Sequence, residues 1–220
     1  MKGSVPTPGS IVLGEIDWPR RRQLMQHHTA THILGGAARR ILGDHVWQTG
    51  AEKGVDKARL DITHYRRIPQ EELWRIERLA NQVVFEAHAV HVEVMPREKA
   101  EGQYGFRLYQ GGFFPGRDVR VVETPGWDVE ACGGTHLKNT AEIGFIKILR
   151  AERIQDGVER IEFAAGEAAL GHVQEAERIL RDASEALNVP VERLPQAAES
   201  LLSELKKARK EAEELLAGLK

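Results

Sequence analysis

Two pairs of side chains with the same spacing give this sequence its strongest potential for chemistry. His28 and His32 occur in HTATH, and two histidines four residues apart on a helix share a face and can bind one ion. Cys132 and His136 occur in CGGTH, whose two glycines favour a tight loop. One thiolate and three imidazoles suit tetrahedral zinc. The sequence therefore predicts one zinc site built from two distant segments.

Simpler interpretations of these residues remain open from the sequence. Buried histidines are often hydrogen-bonded parts of a core, and a closed site with four protein ligands is structural by default. The helical zinc-protease motif requires Glu directly after the first histidine, and Thr29 stands there. Hydrolysis of an activated ester stays possible, because zinc lowers the pKa of bound water and polarises a carbonyl. Cys132 is the only cysteine, which excludes an internal disulfide.

Length and composition predict a globular protein of one or two domains. The 220 residues are 41% hydrophobic, which is enough to bury a core. No apolar run is long enough to cross a bilayer, and the polar start lacks the apolar centre of a signal peptide. We therefore expect a soluble, cytoplasmic protein with no membrane partner. The net charge of −2 argues against a domain that only binds nucleic acid.

Two amphipathic helices are predicted in the first half of the chain. The first follows Pro19 and runs through HTATH to Leu42, with Leu24, His28, Thr31, His32 and Gly35 on one stripe. Gly35 and Gly36 are expected to mark close backbone packing within it. The second helix begins after Pro69. By its helical position His27 should miss the metal, and we expect it at the surface.

Alternating or apolar runs predict strands between and after these helices. They are ARLDITHY, AVHVEVM, DVRVVE, IGFIKIL and VERIEFAA, and an Asp156–Gly157 pair predicts a hairpin between the last two. The fold class expected is α+β, with a mainly antiparallel sheet packed with helices. The loop YQGGFFPGR offers Phe113 and Phe114 either for base stacking or for core packing.

The last fifty residues follow a different, helical pattern. Ala198, Leu201, Leu205, Ala208, Ala212, Leu215 and Leu219 are spaced alternately three and four apart, as in a coiled coil or helical hairpin. An amphipathic helix packed on the main domain is the alternative. The predicted domains are therefore 1–170, which contains the zinc ligands, and 171–220, a helical region that can form a homodimer.

The motifs HTATH, HVWQTGAEK, RLDITH and VEACGGTH, in this order, resemble the editing domain of alanyl-tRNA synthetases and the related free-standing editing proteins. The resemblance covers about residues 11 to 170 and is specific as a set. The threonyl-tRNA synthetase editing domain shares only the looser frame of paired ligands. The tail resembles the start of the C-terminal helical region of alanyl synthetases.

This resemblance implies hydrolysis of Ser-tRNA(Ala) and Gly-tRNA(Ala) at the acceptor end of tRNA(Ala). By motif position, His28, His32, Cys132 and His136 correspond to zinc ligands. Gln48 corresponds to a polar residue implicated in editing, and Thr31 to a sensor of the serine hydroxyl. From the residues alone, Gln48 fits an amide at a strand edge, and Thr31 fits a hydroxyl bonded back to its own helix. A free-standing deacylase and a non-catalytic tRNA-binding or dimerisation module with structural zinc remain the alternatives.

Overall fold

A computed structural model describes residues 7–110, 112 and 115–218 of the protein. The prediction for Phe113 and Phe114 lies outside these residues. Two compact units divide the chain between Leu170 and Gly171. Within the described residues, no helix has the length and apolar character that a membrane crossing requires.

A four-stranded antiparallel sheet is the centre of the first unit. It contains β1 (Gln48–Lys53), β2 (Ala58–Thr63), β6 (Ile146–Gln155) and β7 (Val158–Ala165), in the spatial order β1-β2-β7-β6. Leu60 of β2 lies opposite Ile161 of β7, and both side chains are fully buried. The face that carries them packs against helices, so the sheet has one apolar face and one charged face, as expected for an antiparallel sheet.

Helices α1 (Trp18–Leu42) and α2 (Gln70–Phe85) pack on each other and on this sheet. Asp17 caps α1 by accepting a hydrogen bond from the backbone N–H of Arg20, and Pro19 lies in its first turn. α1 is buried around most of its circumference between His27 and Ala38, which is a wider face than the stripe predicted from the sequence. It therefore passes through the core with the two histidines at its centre.

A second, three-stranded antiparallel sheet lies beside the first core. Its strands are β3 (His91–Pro96), β4 (Asp118–Thr124) and β5 (Asp128–Ala131), in the order β3-β4-β5. Helix α3 (Arg97–Tyr104) and a short 3-10 helix, Gly105–Tyr109, enclose a small core against it. Another 3-10 helix, Thr140–Ile143, connects the loop after β5 to β6. β5 ends just before Cys132 and therefore positions the second ligand pair.

The predicted α+β class is confirmed, with antiparallel strands packed with helices and a long C-terminal helix. β1 and β5 were not predicted as strands. In the tail, α4 (Gly166–Leu187) precedes the 3-10 helix Val191–Arg193 and α5 (Leu194–Gly218). Among the described residues of α5 none is buried, so its apolar stripe has no covering partner there. The hairpin, the coiled coil and the homodimer stay predictions.

Candidate metal centre and catalytic cavity

The fold brings the two predicted ligand pairs together. His28 and His32 lie one turn apart in α1, whereas Cys132 and His136 lie in the loop that follows β5. One ligand atom from each of the four side chains lies within 4.8 Å of the other three. His32 and His136 are buried, and the other two side chains are partly buried. This is the arrangement that the matched spacings predicted.

The four donors fit a tetrahedral zinc ion. The Sγ atom of Cys132 lies 3.3 Å from His28 Nε2 and 3.4 Å from His136 Nε2. Tetrahedral coordination at zinc bond lengths places nitrogen and sulfur ligands roughly 3.5 Å apart, so these separations match. Burial alone would raise the pKa of the Cys132 thiol, but hydrogen bonds from His28 and His32 lower it to about 5. A thiolate is the form that binds metal.

Side chains around the ligands hold two of the imidazoles in place. Thr29 Oγ1 accepts a hydrogen bond from the backbone N–H of Leu137 at 3.1 Å and lies 3.3 Å from His136 Nδ1. Asp128 Oδ2 lies 3.5 Å from His32 Nδ1. Such partners on the far ring nitrogen fix the orientation and tautomer of a metal-binding histidine. From the sequence, Thr29 was notable only as the residue in place of the protease glutamate, and Asp128 was not identified.

The glycine loop permits the close approach of the two segments. A Cβ atom at Gly134 would lie 2.0 Å from Cε1 of His28, which no side chain can tolerate. Gly134 therefore allows the backbone of the loop to pass directly over the His28 ring. Gly134 thus provides clearance between the CGGTH loop and helix α1.

A cavity of about 360 Å³ opens beside the ligand group and is lined by three of its four side chains. Gln48 and Lys53 of β1 line it together with His28, His32, Cys132 and Glu130. Because Gln48 and Lys53 are five residues apart, an unbroken strand would place them on opposite faces of the sheet. A bulge between Gln48 and Gly50 changes this alternation: Gln48 pairs with Ile62 and Lys53 with Ala58, both on the core face. Both side chains therefore face the metal ligands.

Glu130 is an acidic residue that lines this cavity and that was not identified from the sequence. It lies in β5, two residues before Cys132, and its Oε2 atom is 3.4 Å from His32 Nε2. Burial raises the pKa of this carboxyl to about 7. The alternation of a four-residue strand aims it at the ligands, but the strand is too short to be recognised by its pattern. The Glu130 carboxyl group therefore lines the cavity next to the His32 ring.

Two residues discussed from the sequence, Thr31 and His27, are not part of the cavity lining. The hydroxyl of Thr31 donates a hydrogen bond to the carbonyl of His27 at 2.8 Å, and Thr31 is not among the residues that line the cavity. His27 is absent from the ligand group, as expected, but its predicted surface position is wrong. It is fully buried, with Nδ1 2.8 Å from the carbonyl oxygen of Gly54, because α1 is covered on that side by the β1–β2 hairpin.

Comparisons with known proteins agree with the motifs. Residues 119–162 match the family described as Threonyl and Alanyl tRNA synthetase second additional domain. The alanine–tRNA ligase of Thermococcus kodakarensis is 59% identical over 207 residues, which are 94% of this chain and 23% of that protein. The alanine–tRNA ligase of Methanopyrus kandleri is 55% identical over 213 residues, or 97% of the chain and 23% of the relative. The chain thus spans less than a quarter of these relatives, and the resemblance to an alanyl-tRNA synthetase region is confirmed.

Proposed function

Because the chain is related over most of its length to one segment of alanine–tRNA ligases, we propose that it hydrolyses mischarged Ser-tRNA(Ala) and Gly-tRNA(Ala). In this proposal it is the editing region of such an enzyme, bound to the acceptor end of tRNA(Ala) in the cytoplasm. The observation that carries the proposal is a cavity lined by the Gln48 amide and by three side chains of the zinc-type ligand set.

His28, His32, Cys132 and His136 would hold the zinc ion. When bound, zinc supplies a Lewis acid and lowers the pKa of a bound water molecule toward neutrality. Thr29 and Asp128 orient two of the imidazoles, and Glu130 accepts a hydrogen bond from water in the cavity. Gln48 is a neutral amide, so it orients the ester by hydrogen bonding and does not act as a base.

A second hydrolytic site has a physical reason to accompany an alanine-specific one. A pocket that fits alanine cannot strongly exclude glycine, nor an analogue that only adds a hydroxyl, and synthetases are the standard example of this limit. A second site that admits the small aminoacyl ester and hydrolyses it corrects those errors. A serine sensor at Thr31 was the sequence-based assignment for selection, and it remains a proposal that rests on motif position.

The closing experiment measures amino-acid release from Ser-tRNA(Ala), Gly-tRNA(Ala) and Ala-tRNA(Ala) by the purified chain, with zinc determined on the same sample. We expect release of serine and glycine, retention of alanine, and one zinc ion per chain. Cys132→Ala should lower zinc occupancy and abolish release. Tight tRNA binding without any release would favour a non-catalytic module with structural zinc. Zinc-free protein with full activity would remove the metal from the mechanism.

A further inference from the structure

Lys53 is the cation among the described residues that line this cavity, and it has no assigned role. It is the last residue of β1, partly buried, and lines the same cavity as His28, Cys132 and Gln48. The electrostatic influence of Cys132 and Glu130 reaches its ammonium group, and its own charge reaches His136. Lys53 therefore presents a positive charge to the atoms at the centre of the cavity.

The other cations of the same hairpin have carboxylate partners. Lys57 Nζ lies 2.9 Å from Glu162 Oε2, and Arg59 Nε lies 3.0 Å from Glu52 Oε2. For Lys53, by contrast, no hydrogen bond or ion pair is found within the described part of the chain. A partly buried ammonium group without a partner is unfavourable in a resting protein. The bulge in β1 nevertheless directs it, with Gln48, to the ligand side of the sheet.

We propose that Lys53 is a catalytic residue whose ammonium group stabilises the negative charge that develops on the ester carbonyl oxygen. This inference rests on the proposed deacylase function. Preorganised charge of this kind is usually the largest single contribution to acyl-transfer catalysis, especially in a cavity with little water. The ammonium group then forms an ion pair with the oxyanion, and this pair exists only during the reaction.

The reaction balances with Lys53 protonated throughout. A water oxygen bonds to the ester carbon, and the π electrons of the C=O bond move to the carbonyl oxygen, which becomes the oxyanion beside Lys53. When the C=O bond re-forms, the bond to the ribose oxygen breaks. One water is consumed in total: its oxygen ends on the amino-acid carboxyl group, one of its protons ends on the ribose hydroxyl, and the other is released to solvent when the carboxyl group ionises. Gln48 orients the same ester from the other end of the strand.

The experiment compares Lys53→Met and Lys53→Arg with Lys57→Met as the matched control. Lys57 lies in the same hairpin but outside the cavity, where it forms a surface ion pair. Single-turnover hydrolysis of Ser-tRNA(Ala), substrate binding, zinc content and thermal unfolding are measured for each full-length variant. We expect Lys53→Met to lower the single-turnover rate about a hundredfold, with zinc content and substrate affinity within a factor of about three.

We expect Lys53→Arg to recover at least about tenfold of that loss, since it retains the charge, and Lys57→Met to behave as wild type. Three results would overturn the assignment: an unchanged rate for Lys53→Met, a loss of zinc from it, or weaker substrate binding with an unchanged rate. The last result would mean that Lys53 binds a phosphate group of the tRNA and does not stabilise the oxyanion. If the wild type releases no amino acid, the deacylase proposal fails, and the Lys53 proposal fails with it. If the wild type is active, the Lys53 variants test the Lys53 proposal alone.

Discussion

Gln48 is the cavity residue whose role can be separated from metal binding. It is held by the bulged part of β1 rather than by the ligand segments, so its loss leaves the zinc donors in place. We predict that Gln48→Ala slows release of serine and of glycine alike, by about a hundredfold to a thousandfold, as for loss of one oxyanion-type donor. Rates on both substrates and zinc content are measured on the same samples. A fully active Gln48→Ala protein would make this residue a simple strand-edge amide.

Thr29 and Thr31 lie two residues apart on α1, and their hydroxyls have different partners. Thr29 contacts His136 and the backbone of Leu137, whereas Thr31 bonds back to His27 within the helix. We predict that Thr29→Val lowers zinc affinity about tenfold to a hundredfold, since it removes the partner of a ligand imidazole. Thr31→Val should leave zinc affinity unchanged, because the Thr31 hydroxyl bonds within the helix. Competition with a chromogenic chelator gives the affinities.

Each of the two variants is the control for the other, because both replace a buried hydroxyl in the same helix by a methyl group. If Thr31 senses the serine hydroxyl, as its motif position implies, Thr31→Val lowers serine release more than glycine release, and equal losses would reject that role. Equal zinc affinities in the two variants would contradict the role given to Thr29.

The sequence predicted that His28, His32, Cys132 and His136 come together because the two pairs have the same spacing. His28 and His32 form a helical pair, and the only cysteine occurs with a histidine in a glycine loop. It could not predict Glu130 or Lys53, since whether a strand residue faces the cavity depends on register. β5 is short, and the bulge in β1 reverses the usual alternation. Residues on irregular strands are therefore found only when pairing partners are known.

At the scale of elements, Gly35 and Gly36 of α1 were both expected to permit close packing, and only Gly36 does. A Cβ at Gly36 would lie 2.6 Å from Trp127 Nε1, whereas nothing lies within 4 Å of one at Gly35. Trp127 precedes Asp128, donates a hydrogen bond to the Ile33 carbonyl, and packs under the Arg40 guanidinium at 3.9 Å. The packing of α1 on the turn before β5 thus depends on one glycine.

We predict opposite signs for two neighbouring substitutions. Gly35→Ala should stabilise the protein by up to about 1 kcal/mol, because alanine is the better helix former and has free space. Gly36→Ala should destabilise it by about 1–3 kcal/mol, because Trp127 must move. Denaturant unfolding of both variants measures the free energies. Similar values for the two would show that Trp127 adjusts without cost.

At the scale of the whole molecule, the motif-bearing residues all lie before the division at Leu170. The exposed leucines of α5 lie after it: Leu201, Leu202, Leu205, Leu215 and Leu216. We predict that truncation after about residue 190 spares hydrolysis and weakens self-association, because burying such a stripe against a second copy removes apolar surface from water. Sedimentation and deacylation rates on both lengths test this. An unchanged mass would exclude a dimer role for the tail.

The separation of the ligand pairs along the chain has a consequence during synthesis. His28 and His32 leave the ribosome with α1, while Cys132 and His136 follow about a hundred residues later. At typical elongation rates this interval lasts about 5 to 20 seconds. During it the nascent helix carries only a two-histidine half-site, which binds many divalent ions weakly and none selectively. The thiolate arrives only with the second pair, so in the proposed zinc site that segment would decide the choice of metal, after the helix that contributes half the ligands has left the tunnel.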